Sequence, residues 1–283
     1  MNFGLICINV LTKRYDLCNN CIGGTPVKQE CSNYRFIRKE AVMSKIRVTV
    51  WNEYRHEVHK ENIRAIYPIG IHGEVKNILD GCDDLEVTCA YLDMPEHGLT
   101  DEVLNNTDVL VWWGHMAHGE VRDDIVNKIR ERVYRDGMGF VALHSAHHSK
   151  PFKAIVGCTG DLSWGRDQKE IIWNINPAHP IAEGVPEHFE LFEEMYGEPF
   201  FIPQPDQQVF MGWFEDGNVF RSGCCYFRGL GRIFYFQPGH EACRSFYDEN
   251  VRRIIKNGVH WAAPANASFA NKGCKHQTEP IVK

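Results

Sequence analysis

The chain has 283 residues, 43% of them hydrophobic and 24% charged, the balance of an ordinary soluble globular protein. Its net charge of −6 argues against nucleic acid and anionic membrane surfaces as partners. No apolar run approaches the ~18 residues needed to span a bilayer, and the opening stretch lacks a basic leader and a cleavage site, so a cytoplasmic location is expected.

Residues 1–42 stand apart. They carry Cys18-Asn19-Asn20-Cys21 but no second CxxC and no periodicity, so a poorly structured extension is expected rather than a zinc knuckle. Met43 is followed at once by a good first strand, and Lys39-Glu40-Ala41 can be encoded by a purine-rich ribosome-binding sequence, so Met43 is the expected natural start. The 11 cysteines are odd in number and scattered, which is no disulfide framework.

From there strands and helices alternate. Ile46–Trp51 reads as a strand, Asn52–Tyr67 as a polar loop, and Gly73–Asp80 as a helix. Leu85–Tyr91 is the second strand. Thr100 is placed to cap a short helix, and Asp108–Trp113 is the third strand. Asp123–Asp136 has helical spacing, 139–143 is a short apolar strand, and a helix follows over Lys150–Val156. Such alternation predicts a parallel sheet with helices on both faces. The second half is richer in strands: Lys169–Ile175 (expected at an edge), Phe189–Met195, Phe200–Ile202, Gln208–Trp213, Cys224–Arg228 and Gly231–Phe236. A closing helix spans Asp248–Trp261, its last turn weakened by Gly258, and a loose tail occupies 264–283.

Three strands end in histidine: at His115 with His118 and Glu120, at His144 with His147 and His148, and at His240 with Glu241. In a parallel sheet these carboxyl ends lie side by side, where open α/β sheets bind ligands. Six of the 14 histidines sit at these ends. A converging His/Glu set suits acid–base chemistry or a divalent metal with an open position. The expected catalytic residues are His144, His118, His240, Glu241 and Glu120. His118, His144 and His240 are the expected ligands should zinc or manganese be the cofactor. The elbow position is His144 rather than Ser or Cys, and neighbouring Ser145 has no evident triad, so covalent catalysis is not expected.

The elbow Ala142-Leu143-His144-Ser145-Ala146-His147 resembles the Gly-Ile-Cys-Leu-Gly-His elbow of class I glutamine amidotransferases, with histidine in place of the cysteine. More closely, the chain resembles the ThuA-like, trehalose-utilisation family. The likeness lies in Val111-Trp112-Trp113-Gly114-His115, Gly139 to His144, His179-Pro180-Ile181 with Gly184, Glu193-Glu194-Met195-Tyr196, and Ile233-Phe234-Tyr235 leading to Gly239-His240-Glu241. It runs from about Lys45 to Pro264, which marks 43–263 as the domain.

The resemblance implies an α/β fold of class I glutamine amidotransferase type, a flavodoxin-like three-layer sandwich with a mainly parallel central sheet, without the catalytic cysteine and so without glutaminase activity. It also implies a role in the use of trehalose, other disaccharides or their 3-keto derivatives, with a small-molecule carbohydrate as the partner; a homo-oligomer is compatible with the sequence. Trp112, Trp113, Trp164 and Trp213 could offer flat faces to pyranose rings, and Asp161, Arg166, Glu194 and Tyr196 could bond hydroxyls. Trp113, His115, His147, Glu194 and Tyr196 are the expected substrate contacts. Sugar isomerase, epimerase or lyase chemistry, a non-catalytic sugar-binding or regulatory protein, and a metal-dependent hydrolase of another substrate all fit this reading.

Overall fold

The computed structural model describes residues 44–264. The 1–42 extension with its CxxC pair, the expected start at Met43 and the tail after Pro264 lie outside them. In chain order the elements are β1 (Ile46–Asn52), α1 (His56–His59), α2 (Glu61–Ile66), α3 (Gly70–Leu79), β2 (Leu85–Tyr91), α4 (Asp101–Asn105), β3 (Val109–Trp113) and α5 (Asp123–Asp136). They continue with β4 (Gly139–Leu143), α6 (Lys150–Val156), β5 (Ser163–Asn174), β6 (His188–Gly197), β7 (Gln207–Phe214), β8 (Val219–Arg228), β9 (Gly231–Phe236) and α7 (Glu249–Ala262).

All nine strands form one sheet in the order β2-β1-β3-β4-β9-β8-β7-β5-β6. The pairings β2-β1-β3-β4-β9 are parallel and the remainder antiparallel. The central strands are buried on both faces, which is why they read as unbroken apolar runs. The pleat divides them between two cores. Val109, Val111, Trp113, Val141, Leu143, Phe234 and Phe236 meet α3 and α7 on one face. Leu110, Trp112, Phe140, Ala142, Ile233 and Tyr235 meet α5 and α6 on the other. The three-layer α/β sandwich is therefore the expected one.

Local signals account for the helix ends. Thr100 accepts a hydrogen bond from the Val103 N–H, and Ser149 from that of Phe152. Asp248 caps α7 by accepting from Asn250 and Val251. The α7 stripe of Val251, Ile254, Ile255 and Val259 is fully buried, worth about 1.5–3 kcal/mol per side chain. Gly258 does not end the helix. A Cβ there would lie 2.6 Å from Phe234, so glycine is what lets α7 close onto β9.

Three sequence expectations need correction. Asn52–Tyr67 is not a loop but holds α1 and α2, because Glu57, buried, accepts from the Asn52 amide and the Ile71 N–H and pulls the segment inward. The strand expected at an edge over Lys169–Ile175 is interior β5, which starts at Ser163 and pairs with both β6 and β7; the edge strand is β6. Phe200–Ile202 is not a strand; Phe200 instead packs its ring on Phe220 and Tyr235.

Candidate functional site

The carboxyl ends of β3, β4 and β9 lie next to one another, and the turn after each carries a histidine. After β4 the chain turns sharply: His144 has φ +52°, a left-handed conformation uncommon for a side chain with a Cβ. This elbow leaves the His144 ring wholly buried. Its Nδ1–H donates to the Gln237 carbonyl at 2.9 Å. That fixes the tautomer and leaves a lone pair on Nε2, which faces Glu194 Oε2 at 3.2 Å and the Tyr196 hydroxyl at 3.3 Å.

His115 and His240 complete a triangle with His144. Ring centroids are 5.9 Å apart for His115–His144, 5.7 Å for His115–His240 and 5.3 Å for His144–His240. His240 Nδ1 lies 3.1 Å from Asp167 Oδ1, and His115 Nδ1 lies 3.0 Å from His56 Nε2. Glu241 sits beneath, its Oε2 3.3 Å from His240 Nε2 and 3.8 Å from His115 Nε2, with Oε1 3.3 Å from His56 Nδ1. Oε2 of this buried carboxylate has no hydrogen-bond partner among the described residues.

Burial keeps these imidazoles neutral. Desolvation lowers the pKa of His144 to about 4, and that of His115 to about 4 with help from His144. It takes His56 to about 3 and lowers His240 as well. Burial raises Glu194, against the pull of His240 and His115.

Two buried glutamates hold the loops that carry His115 and His240. Glu53, just beyond β1, accepts from the backbone N–H groups of Met116 and Ala117 at 2.9 Å each. Glu193 on β6 accepts from Gly239 and His240 N–H at 3.1 Å each and from the Ser245 hydroxyl at 2.7 Å. Burial outweighs these donors and raises both groups, Glu193 to about 8.

Beside the triangle opens a cavity of about 520 Å³, lined by His115, His118, Ser145, His147, His148, Asp161, Leu162, Trp164 and Tyr196. Trp164, 72% exposed, is part of this lining. His148 Nε2 lies 3.3 Å from Asp161 Oδ1.

The sequence-predicted residues therefore separate. His144, His240, His115, Glu194, Tyr196 and Glu241 come together. His118 does not join the triangle; it stands on the cavity wall, 6.2 Å from the His148 ring, and burial lowers its pKa to about 3. Instead, His115, His144, His240 and Glu194 have donor atoms that all lie within 4.8 Å of one another. Glu120 is not in the site: it points outward to Arg55, 2.6 Å away. Trp113 is buried under the cluster, its indole N–H donating to the Gly239 carbonyl, so it supports the site without facing a ligand. His147 bonds Gly160 O at 2.7 Å and lines the cavity. Trp112 stacks on Trp51 in the core, and Trp213 lies on a separate surface.

His56, Glu53 and Asp167 were not singled out by the sequence, and Glu193 entered only within the family-like segment Glu193-Glu194-Met195-Tyr196. A signal existed for two of them. β1 is also a parallel strand beside β3, so the rule that selected the other strand ends applies to Glu53 and His56. Asp167 arrives from the antiparallel half, and no local pattern marks it.

The sequence pattern of the ThuA family, described as trehalose utilisation, matches residues 47–262. No curated protein matches the chain. Among solved structures, a ThuA-like protein from Parabacteroides merdae is similar with a TM-score of 0.58 at 15% identity, over 77% of this chain and 90% of that one. A second, from Bacteroides uniformis, has a TM-score of 0.54 at 16% identity, over 80% and 95%. A cytoplasmic protein from Salmonella typhimurium has a TM-score of 0.50 at 11% identity, over 77% and 99%. At these identities the likenesses establish the fold. No helix among the described residues is long and apolar enough to cross a membrane.

Proposed function

The chain belongs to the ThuA family, and from that premise we propose that it acts on a carbohydrate, a disaccharide or its 3-keto derivative, in the cavity beside the histidine triangle. The observation that carries this is the cavity itself. An exposed Trp164, Tyr196 and a His148–Asp161 pair line about 520 Å³ next to a cluster of neutral imidazoles, a volume within the usual range for small-molecule sites.

The chemistry that suits this set is proton transfer next to a sugar carbonyl. The carbonyl oxygen sits towards the triangle. The Tyr196 hydroxyl on the cavity wall donates a hydrogen bond to it as negative charge develops. The C–H between the carbonyl and the anomeric carbon loses its proton to His148, which Asp161 orients and whose pKa burial lowers while Asp161 opposes. His118 stands beside His148 as the second acceptor in the wall. The resulting enediolate either takes a proton back on the opposite face, which is epimerisation, or expels the glycosidic oxygen, which leaves with the proton. A cytoplasmic location is in keeping with this reading and with the description of the Salmonella typhimurium fold relative.

The test is solvent deuterium exchange into a 3-keto glucoside, followed by NMR. Wild-type protein is expected to catalyse exchange, and His148→Ala to slow it by about 10²-fold or more. Saturable sugar binding with neither exchange nor product would make the protein a binding module instead.

A further inference from the structure

We propose that His115, His144, His240 and Glu194 form a divalent transition-metal centre, of the zinc class, whose open position faces the cavity. The inference goes beyond the carbohydrate reading and does not depend on it.

Three independent features of the geometry carry it. First, the triangle has the right size. A metal held at about 2.1 Å by three imidazoles in tetrahedral directions sets their ring centroids about 5 Å apart, and the observed separations are 5.3, 5.7 and 5.9 Å. Histidines that merely cap backbone have no reason to form a near-equilateral set.

Second, each ring has a polar neighbour at Nδ1, the position from which metal-binding histidines are oriented. His144 Nδ1–H donates to the Gln237 carbonyl, His240 Nδ1 lies 3.1 Å from Asp167 Oδ1, and His115 Nδ1 lies 3.0 Å from His56 Nε2. His56 Nδ1 lies 3.3 Å from Glu241 Oε1 but has no hydrogen-bond partner among the described residues. The Gln237 carbonyl assigns Nδ1–H to His144 and leaves its Nε2 lone pair free, and the same tautomer in His115 and His240 would free their Nε2 lone pairs for the metal. The neighbours come from three different stretches of chain, so the pattern is not an accident of one turn.

Third, negative charge is stored where a cation would neutralise it. Glu194 reaches His144 Nε2 at 3.2 Å, and Glu241 Oε2, in a side chain only 4% exposed as a residue, has no hydrogen-bond partner among the described residues while lying 3.3 Å from His240 Nε2. Glu241 is thus placed as a fifth ligand or as a charge directly behind the site. Three imidazoles with one or two carboxylates suit zinc, and also manganese or iron(II). The bound ion would act as a Lewis acid on an oxygen entering from the cavity.

The experiment is elemental analysis of untagged protein that has never met a chelator, with cobalt(II) titration of the same protein followed by visible absorption. Wild type is expected to carry about one equivalent of divalent metal and to give the intense bands of low-coordinate cobalt with nitrogen ligands. His115→Ala and Glu194→Gln should lose at least about tenfold in affinity. His118→Ala should keep the full equivalent, which separates this centre from one built on His118. Circular dichroism of each variant identifies any that fails to fold, and wild type alone still decides the question. Folded wild type that binds none of zinc, manganese, iron(II) or cobalt overturns the proposal. So does loss of metal in His118→Ala with retention in Glu194→Gln. Metal without deuterium exchange into the sugar would leave this centre standing and remove the carbohydrate chemistry; exchange without metal would do the reverse.

Discussion

Glu53 and Glu193 show how single residues set the geometry of the candidate site without entering the cavity. Each accepts two consecutive backbone N–H groups of a loop that carries a cluster histidine. Removing such a carboxylate leaves two adjacent backbone donors, one of them buried, without their acceptor. Glu53→Ala is therefore expected to cost roughly 2–4 kcal/mol in urea unfolding, and Glu53→Gln, which keeps one acceptor oxygen, distinctly less. The same substitution should loosen His115, read as line broadening of its imidazole resonances. Equal stability of the two variants would show that the backbone amides find other partners. His144 illustrates the opposite kind of residue. Its importance was legible from position alone, because it ends an apolar strand at an elbow. Its neutral tautomer was not, because the Gln237 carbonyl that fixes it lies 93 residues away.

At the scale of elements, the parallel strands were readable and the antiparallel ones only in outline. β3, β4 and β9 are buried on both faces, so their composition announces them. β5 misleads because its inward face carries Gln168 and Glu170, polar residues whose burial depends on strands that come later. Glu170 is fully buried against Ser222 on β8 and the carboxamide of Gln237, whose nitrogen turned to the carboxyl lies 2.8 Å away. Room for it exists because residue 212 on β7 is glycine: a Cβ there would lie 2.1 Å from Glu170 Oε1. Gly212→Ala should accordingly destabilise the sheet by roughly 1–3 kcal/mol, measured by urea unfolding. Burial, with Glu193 nearby, lifts the Glu170 pKa well above its ordinary value. The native state then holds a proton that the unfolded chain releases, so this group's contribution is present below the unfolded pKa and is lost as pH rises towards the folded one. Glu170→Gln, a mimic of the neutral acid, is expected to gain Tm relative to wild type as pH is raised from about 5 to 8. A constant difference across that range would mean the carboxyl is already ionised in the fold.

At the scale of the whole molecule, the site belongs to neither half of the sheet. The parallel half supplies His56, His115, His144 and His240 with Glu241, and the antiparallel half supplies Asp167, Glu194 and Tyr196. The sequence separated the halves by composition and assigned the chemistry mainly to the first, since histidine at a strand end is a local sign while a carboxylate on a neighbouring strand is not. β9 is the joint, pairing with β4 on one side and β8 on the other. A chain ending at Arg228 should therefore lack cooperative unfolding and go to the insoluble fraction, with two bare strand edges in place of one continuous sheet. A cooperative transition in that truncated chain would show that the halves are stable alone. The position of β9 also carries a consequence for biosynthesis. The strand that closes the sheet, and the His240-Glu241 pair just after it, emerge from the ribosome after every other strand and every other histidine of the cluster. Until then the nascent protein is two unjoined part-sheets, so the crevice is completed only after β9 has emerged.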